Sequence, residues 1–128
     1  MHNNGTLTVT MEKYLEMIAR MLQYNDNVSI KQLAINLNEK SSNAVKIINQ
    51  LKVLEFIHFD KYGNIKPTNK GMVYGNYLLH RHEVLNKFFA FINSSSNELT
   101  QVEKIEHFIE ERTLKNIEKL LERSKMHT

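Results

Sequence analysis

Apolar positions recur at helical spacing along most of the chain, interrupted once by a strand-like run. Over residues 10–25, Met11, Leu15, Ile18, Met21 and Leu22 predict an amphipathic helix with Thr10 as its N-cap, preceded by a frayed tail over residues 1–9. Asn25-Asp26-Asn27 breaks that period. Ser29-Ile30-Lys31-Gln32 reads as a capping box and opens a short helix with Ile30, Leu33, Ala34 and Leu37 turned inward. Residues 36–40 are polar and suit a tight turn. Ser41 or Ser42 then caps a further helix carrying Ala44, Ile47, Ile48, Leu51 and Leu54.

Two short amphipathic helices separated by a few polar residues form a helix-turn-helix pattern. Directly after it, Phe56-Ile57-His58-Phe59-Asp60 has the aromatic and β-branched character of a strand. Lys61-Tyr62-Gly63-Asn64 supplies a turn with glycine available for positive φ, and Ile65-Lys66 and Pro67 return. A hairpin in that place is a wing. Helical spacing resumes near Asn69 and runs through Met72, Val73, Tyr77, Leu78, Val84, Leu85, Phe88, Phe89 and Ile92, although Gly71 and Gly75 weaken its start. The apolar surplus at the end of that helix predicts more than one buried surface. After a loop over residues 93–97, Thr100-Gln101-Val102-Glu103 reads as a second capping box opening a helix to about Glu111. A last amphipathic helix with Leu114, Ile117, Leu120 and Leu121 follows over residues 113–123.

The chain has 128 residues, of which 41% are hydrophobic and 24% charged, which suits one globular domain's worth of core. No apolar run is long enough to span a bilayer, and the polar Met1-His2-Asn3-Asn4-Gly5 start carries no secretory h-region, so a cytoplasmic protein is expected. The absence of cysteine removes disulfides, thiolate metal sites and cysteine nucleophiles. The net charge of +3 is unevenly placed: residues 1–80 hold nine Lys/Arg against six Asp/Glu, and the remainder holds eight of each. A basic excess beside a helix-turn-helix points to a polyanionic partner.

In such a motif the N-terminal turn of the second helix enters the major groove and the wing tracks the backbone. That turn offers Ser41, Ser42, Asn43 and Lys46, and the wing tip offers Lys61 and Tyr62. Asn can pair with adenine edges, Ser can bond phosphates or bases, and Lys neutralises phosphate. Further on, Glu103, Glu106 and His107 stand at i, i+3 and i+4, so a continuous helix would present all three on one face. Two carboxylates and an imidazole suit Mn²⁺, Fe²⁺ or Zn²⁺, although a solvated acidic helix face has the same spacing.

Several spaced motifs occur together: Met11-Glu12-Lys13-Tyr14-Leu15-Glu16, the helix-turn-helix with its wing, Thr68-Asn69-Lys70-Gly71, Arg81-His82-Glu83, and Val102-Glu103-Lys104-Ile105-Glu106-His107. In this order they resemble the DtxR/MntR family of metal-responsive transcriptional repressors, in the short manganese-type form without an SH3-like domain. The resemblance implies a mainly α fold: a winged helix-turn-helix DNA-binding domain over residues 1–70, then an α-helical dimerisation and metal-binding region over residues 71–128. It implies a homodimer on double-stranded operator DNA, with no membrane role. It also implies Glu16, His82, Glu103, Glu106 and His107 as metal ligands, for Mn²⁺ or Fe²⁺ and for Zn²⁺ in vitro.

One position departs from the family pattern. Three residues before Glu16, where the family places an aspartate or methionine ligand, this chain has Lys13. A protonated lysine cannot ligate. Two expectations follow: a single ion with altered affinity in place of two, or a lysine ammonium that takes the cation's place, giving a constitutive regulator or one answering another effector. His80 is expected at the surface or behind the ligands, His58 at a phosphate or in solvent, and His2 and His127 in the tails. A hydrolase using Glu103 or Glu106 as base would need a substrate-sized cleft that so small a helical chain leaves little material to build, so no enzyme is expected.

Overall fold

The computed structural model describes residues 7–126. The elements are α1 (Val9–Met21), α2 (Ile30–Leu37), α3 (Ser41–Val53), β1 (Ile57–Phe59), β2 (Ile65–Pro67), α4 (Asn69–Asn93), α5 (Leu99–Ile105), a 3₁₀ turn (Glu106–Phe108) and α6 (Glu111–Met126). This is the mainly helical winged architecture expected from the sequence. The described residues form two compact units that divide within α4, one ending at Leu79 and the other starting at His80.

The first unit is built by its helix ends. Thr8, not Thr10, caps α1, its hydroxyl accepting from the Met11 N–H at 3.1 Å. Two residues of threonine spacing separate those options, and only Thr8 sits before the first helical residue. The Ser29–Gln32 capping box forms in both directions, at 3.0 and 3.1 Å. Helices α2 and α3 both end in a reversed pair of backbone bonds over a left-handed residue. For α2 this residue is Asn38 (φ 55°), with Glu39 N–H donating to Ala34 O at 2.9 Å. For α3 it is Glu55 (φ 65°), with Phe56 N–H donating to Leu51 O at 3.0 Å. Asn tolerates that conformation more readily than Glu does.

Met11, Tyr14, Leu15, Ile18 and Met21 from α1, Leu33 and Ala34 from α2, and Ala44, Ile48 and Leu51 from α3 meet in one core with Val28, Phe56, Ile57, Ile65, Tyr74 and Leu78. The hairpin pairs Ile57 with Pro67, His58 with Lys66 and Phe59 with Ile65. Its turn is held by Asp60, whose Oδ1 accepts from the Tyr62 and Asn64 amides at 2.8 and 2.9 Å, and Gly63 supplies the positive φ of 80°. The root of the wing is anchored as well. Ile65 N–H donates to Val28 O at 2.7 Å, and Lys66 Nζ donates to Asp26 O and Asn27 Oδ1, both at 3.1 Å. The start of α4 then packs against the α3–β1 junction. Thr68 donates its hydroxyl to Glu55 O and accepts from Gly71 N–H. A Cβ at Gly71 would lie 1.8 Å from Phe56 O, so no side chain fits there.

In the second unit, Val84, Leu85, Val102 and Leu114 are buried. The Thr100–Glu103 capping box expected from the sequence does not open α5. The helix begins at Leu99 behind Glu98, whose N–H donates to Asn86 Oδ1 of α4 at 2.8 Å. A partner from another helix therefore sets the start. Helix α6 starts at Glu111, two residues before Thr113, and Phe91, Ile92, Leu99, Phe108 and Leu120 remain between 42 and 74% exposed.

Candidate functional site

Helix α3 turns Ala44, Ile48 and Leu51 fully into the core, which leaves Ser41, Ser42, Asn43 and Lys46 exposed in its first turns. Neither serine is the N-cap. Lys40 holds that position without a side-chain cap bond, so Ser41 and Ser42 are the first two residues inside the helix and not its cap. A cap must adopt extended backbone, and Lys40 does so at φ −72°, ψ 144°. The serine hydroxyls thus serve no capping role. The first turn of α3 carries no acidic residue.

Lys61 and Tyr62 project from the wing tip, Tyr62 being 78% exposed with Lys61 Nζ 5.1 Å from its ring centre. The Asp60 carboxyl beneath them is held below the ordinary 3.8, first by the Asn64 backbone N–H, with the Asn64 side chain, the Tyr62 amide and the Lys66 charge adding to the effect. His58 is exposed on β1. An exposed helix N-terminal half and a cationic, aromatic wing tip each match the chemistry of a phosphate backbone and its major groove.

The second unit gathers a different set. Helix α5 stops at Ile105, and Glu106–Phe108 form a 3₁₀ turn. Glu103, Glu106 and His107 therefore do not share the face of one continuous helix. Glu103 is exposed, whereas Glu106 is only 3% exposed. The tighter turn carries the Glu106 carboxylate to α4, where its Oε1 lies 3.1 Å from His82 Nδ1, and its Oε2 lies 4.0 Å from His107 Nε2. Arg81 Nη2 is 3.1 Å from His107 Nδ1.

Donor chemistry fixes the tautomers. A carboxylate only accepts, so His82 Nδ1 carries a hydrogen and a neutral ring keeps its lone pair on Nε2. A guanidinium only donates, so His107 Nδ1 accepts. An imidazole that donates one N–H to a carboxylate is in the arrangement that prepares its other nitrogen to ligate a metal. The His82–Glu106 pair fits a divalent ion on that ground, and a carboxylate with two imidazoles is a donor set for Mn²⁺, Fe²⁺ or Zn²⁺ once a cation displaces Arg81 from the His107 Nδ1 lone pair. His80 lies at the surface, with Nε2 3.0 Å from Glu118 Oε2.

On α1, in the first unit, Glu16 is buried and accepts from Arg20 Nη2 at 2.9 Å, and Lys13 is exposed. His2 and His127 lie outside the described residues. Sequence reasoning gave no role to Arg81, which is 3% exposed. Its signal was available: a charged residue beside His82 in a helix whose neighbours Leu78, Val84 and Leu85 are apolar.

No protein-family model matches the chain. It is 31% identical over 103 residues to the HTH-type transcriptional regulator MntR of Geobacillus kaustophilus, covering 80% of this chain and 73% of that one. It is 29% identical over 103 residues to the regulator of the same name from Bacillus subtilis, covering 80% and 72%. The fold is similar to that of the manganese regulator SloR, with a TM-score of 0.78 at 19% identity over 88% of this chain. This chain spans 53% of that solved structure, a likeness that concerns the fold alone.

Proposed function

The chain belongs to the DtxR/MntR family of helix-turn-helix, metal-dependent transcriptional regulators, and from that premise we propose that it is a cytoplasmic repressor that binds operator DNA as a homodimer when it holds a divalent metal. The observation that carries the metal reading is the convergence of His82, Glu106 and His107, with Glu106 buried at their centre. Burying a carboxylate is costly without compensating charge or hydrogen bonds; His82 supplies a hydrogen bond here, and a cation at such a cluster supplies the charge.

Glu16, His82, Glu103, Glu106 and His107 are the proposed ligands, for Mn²⁺ or Fe²⁺. The bound ion would supply positive charge that draws carboxylates and imidazoles together. Lys13 replaces a ligand with an ammonium, which supports one ion per chain in place of two. Exposed Phe91, Ile92, Leu99, Phe108 and Leu120 support a dimer surface in the later helices. On the DNA side, Ser41, Ser42, Asn43 and Lys46 are proposed to enter the major groove while Lys61 and Tyr62 follow the backbone.

Equilibrium dialysis against Mn²⁺, anaerobic Fe²⁺ and Zn²⁺ tests the metal reading. We expect about one ion per chain, lost in His82→Ala and Glu106→Gln. A stoichiometry near zero at micromolar metal would overturn it and favour the alternative in which Lys13 stands in for the cation. Gel shifts on the promoter beside the chain's own gene, with metal or with chelator, test the switch. Equal binding in both conditions would remove the sensor role and leave DNA binding standing.

A further inference from the structure

Not every exposed position on α3 faces the same way. With 3.6 residues per turn, Ser42, Lys46 and Asn49 point away from the buried Ala44, Ile48 and Leu51, while Ser41 and Asn43 fall on the flanks. Val45 stands beside that outward row and is 42% exposed. An apolar residue at the edge of the face that meets the groove is out of place for a simple phosphate-binding surface. It neither donates nor accepts, and it has nothing to offer a charged oxygen.

Major-groove chemistry supplies a match. The thymine 5-methyl is the apolar group displayed there, and adenine presents an N7 acceptor beside an N6 donor, which a carboxamide can engage bidentately. We propose that α3 reads A·T base pairs through this outward row and its edge, with Val45 packed on a thymine methyl and Asn49 paired to an adenine. This rests on the proposed DNA-binding function and deepens it by naming what the helix reads. Val45 and Asn49 are one turn apart, a rise of about 6 Å along the helix. Successive bases are spaced by about 3.4 Å along each strand, so the two contacts fall on base pairs one or two steps apart. Ser42 and Lys46, on the same row, then lie where a phosphate or a base edge can accept from them.

The test begins with in vitro selection of binding sites from random duplexes, using the full chain with Mn²⁺. Each thymine of the selected site is then replaced by deoxyuridine, which removes only the methyl. Each adenine is replaced by 7-deazaadenine, which removes only N7. One thymine in each half-site should weaken wild-type binding by about fourfold when demethylated, the value of one buried methyl group. The Val45→Ala variant should be indifferent to that replacement. An adenine within two base pairs should cost about fivefold or more when changed, an effect absent in Asn49→Ala. Both side chains are exposed, and thermal melts would check that the variants fold.

Sequence-selective binding with no thymine sensitive to demethylation would overturn the inference alone. A uridine penalty that persists in Val45→Ala would overturn it too. Failure to bind or enrich any duplex, with or without metal, would overturn the DNA-binding function, and the inference with it.

Discussion

Replacing Gly71 with alanine should destabilise the DNA-binding unit, and the size can be worked from its surroundings. The added Cβ would sit 1.8 Å from Phe56 O, whereas real Cβ atoms essentially never approach closer than 3.0 Å. The helix start and the α3–β1 junction must therefore separate by more than an ångström. Overpacking of this kind costs about 1–3 kcal/mol. Phe56 O also accepts from Thr68 N–H at 3.1 Å, and disturbing that bond removes roughly 0.5–1.5 kcal/mol. Against these stands the helix preference of Ala over Gly, about 0.8–1.0 kcal/mol in a helix interior and less this close to the end. The net is a loss of about 2 kcal/mol, or roughly 8–16 °C in Tm for a unit of this size. Urea and thermal melts followed by circular dichroism measure it. Gly75→Ala is the matched control: its Cβ would meet Ala19 Cβ at 3.1 Å, with its other neighbours at 3.7 Å or more, and the small crowding should be offset by helix preference. A Gly71→Ala protein as stable as Gly75→Ala would refute the reasoning.

Three further outcomes are expected. Glu55→Gly should raise stability by about 1 kcal/mol, because Glu55 holds φ 65° where glycine has no Cβ penalty; an unchanged urea midpoint would count against strain at that helix end. Asp60 has a folded pKa depressed below 3.8, so its contribution to the wing turn is present above the unfolded value and lost as pH falls through the folded one. Carboxyl titration by NMR should place Asp60 below 3.8, with faster exchange of the Tyr62 and Asn64 amides at the acid end, and a value at or above 3.8 would contradict the hydrogen-bond assignment. Lys13→Asp should raise the Mn²⁺ stoichiometry by one ion per chain in equilibrium dialysis, and an unchanged stoichiometry would mean that Lys13 does not mark the lost ligand.

Local chemistry made the winged half of the fold legible. The Ser29–Gln32 box, the Gly63 turn and the apolar spacing of Ala44, Ile48 and Leu51 each act within a few residues, and each formed as the sequence predicts. Capping was less certain where several hydroxyls compete. Thr8 and Thr10 differ only in which backbone turns extended, and Lys40 took the cap position before two serines. The second unit was harder to read because distant partners set its boundaries. Glu98 is tied to Asn86 across a loop, and Glu106 leaves the helical path to meet His82 from another helix. Spacing alone placed Glu103, Glu106 and His107 on one face, since helical period carries no information about a carboxylate drawn aside by a partner 24 residues away. Family resemblance supplied the His82 connection, and geometry added Arg81.

The anchored root of the wing bears on how tightly the chain can hold a partner. Fixing a backbone residue costs about 1–2 kcal/mol in conformational entropy. Through the Val28–Ile65 bridge, the bonds from Lys66 to Asp26 and Asn27, and the Asp60 clasp on Tyr62 and Asn64, that ordering is already complete when the chain has folded. On meeting a surface, the wing has little left to freeze beyond the side chains of Lys61 and Tyr62. Its contacts are therefore made with a small loss of freedom on association. A wing loosened at Val28 or Asp26 could keep every one of those contacts and still bind more weakly.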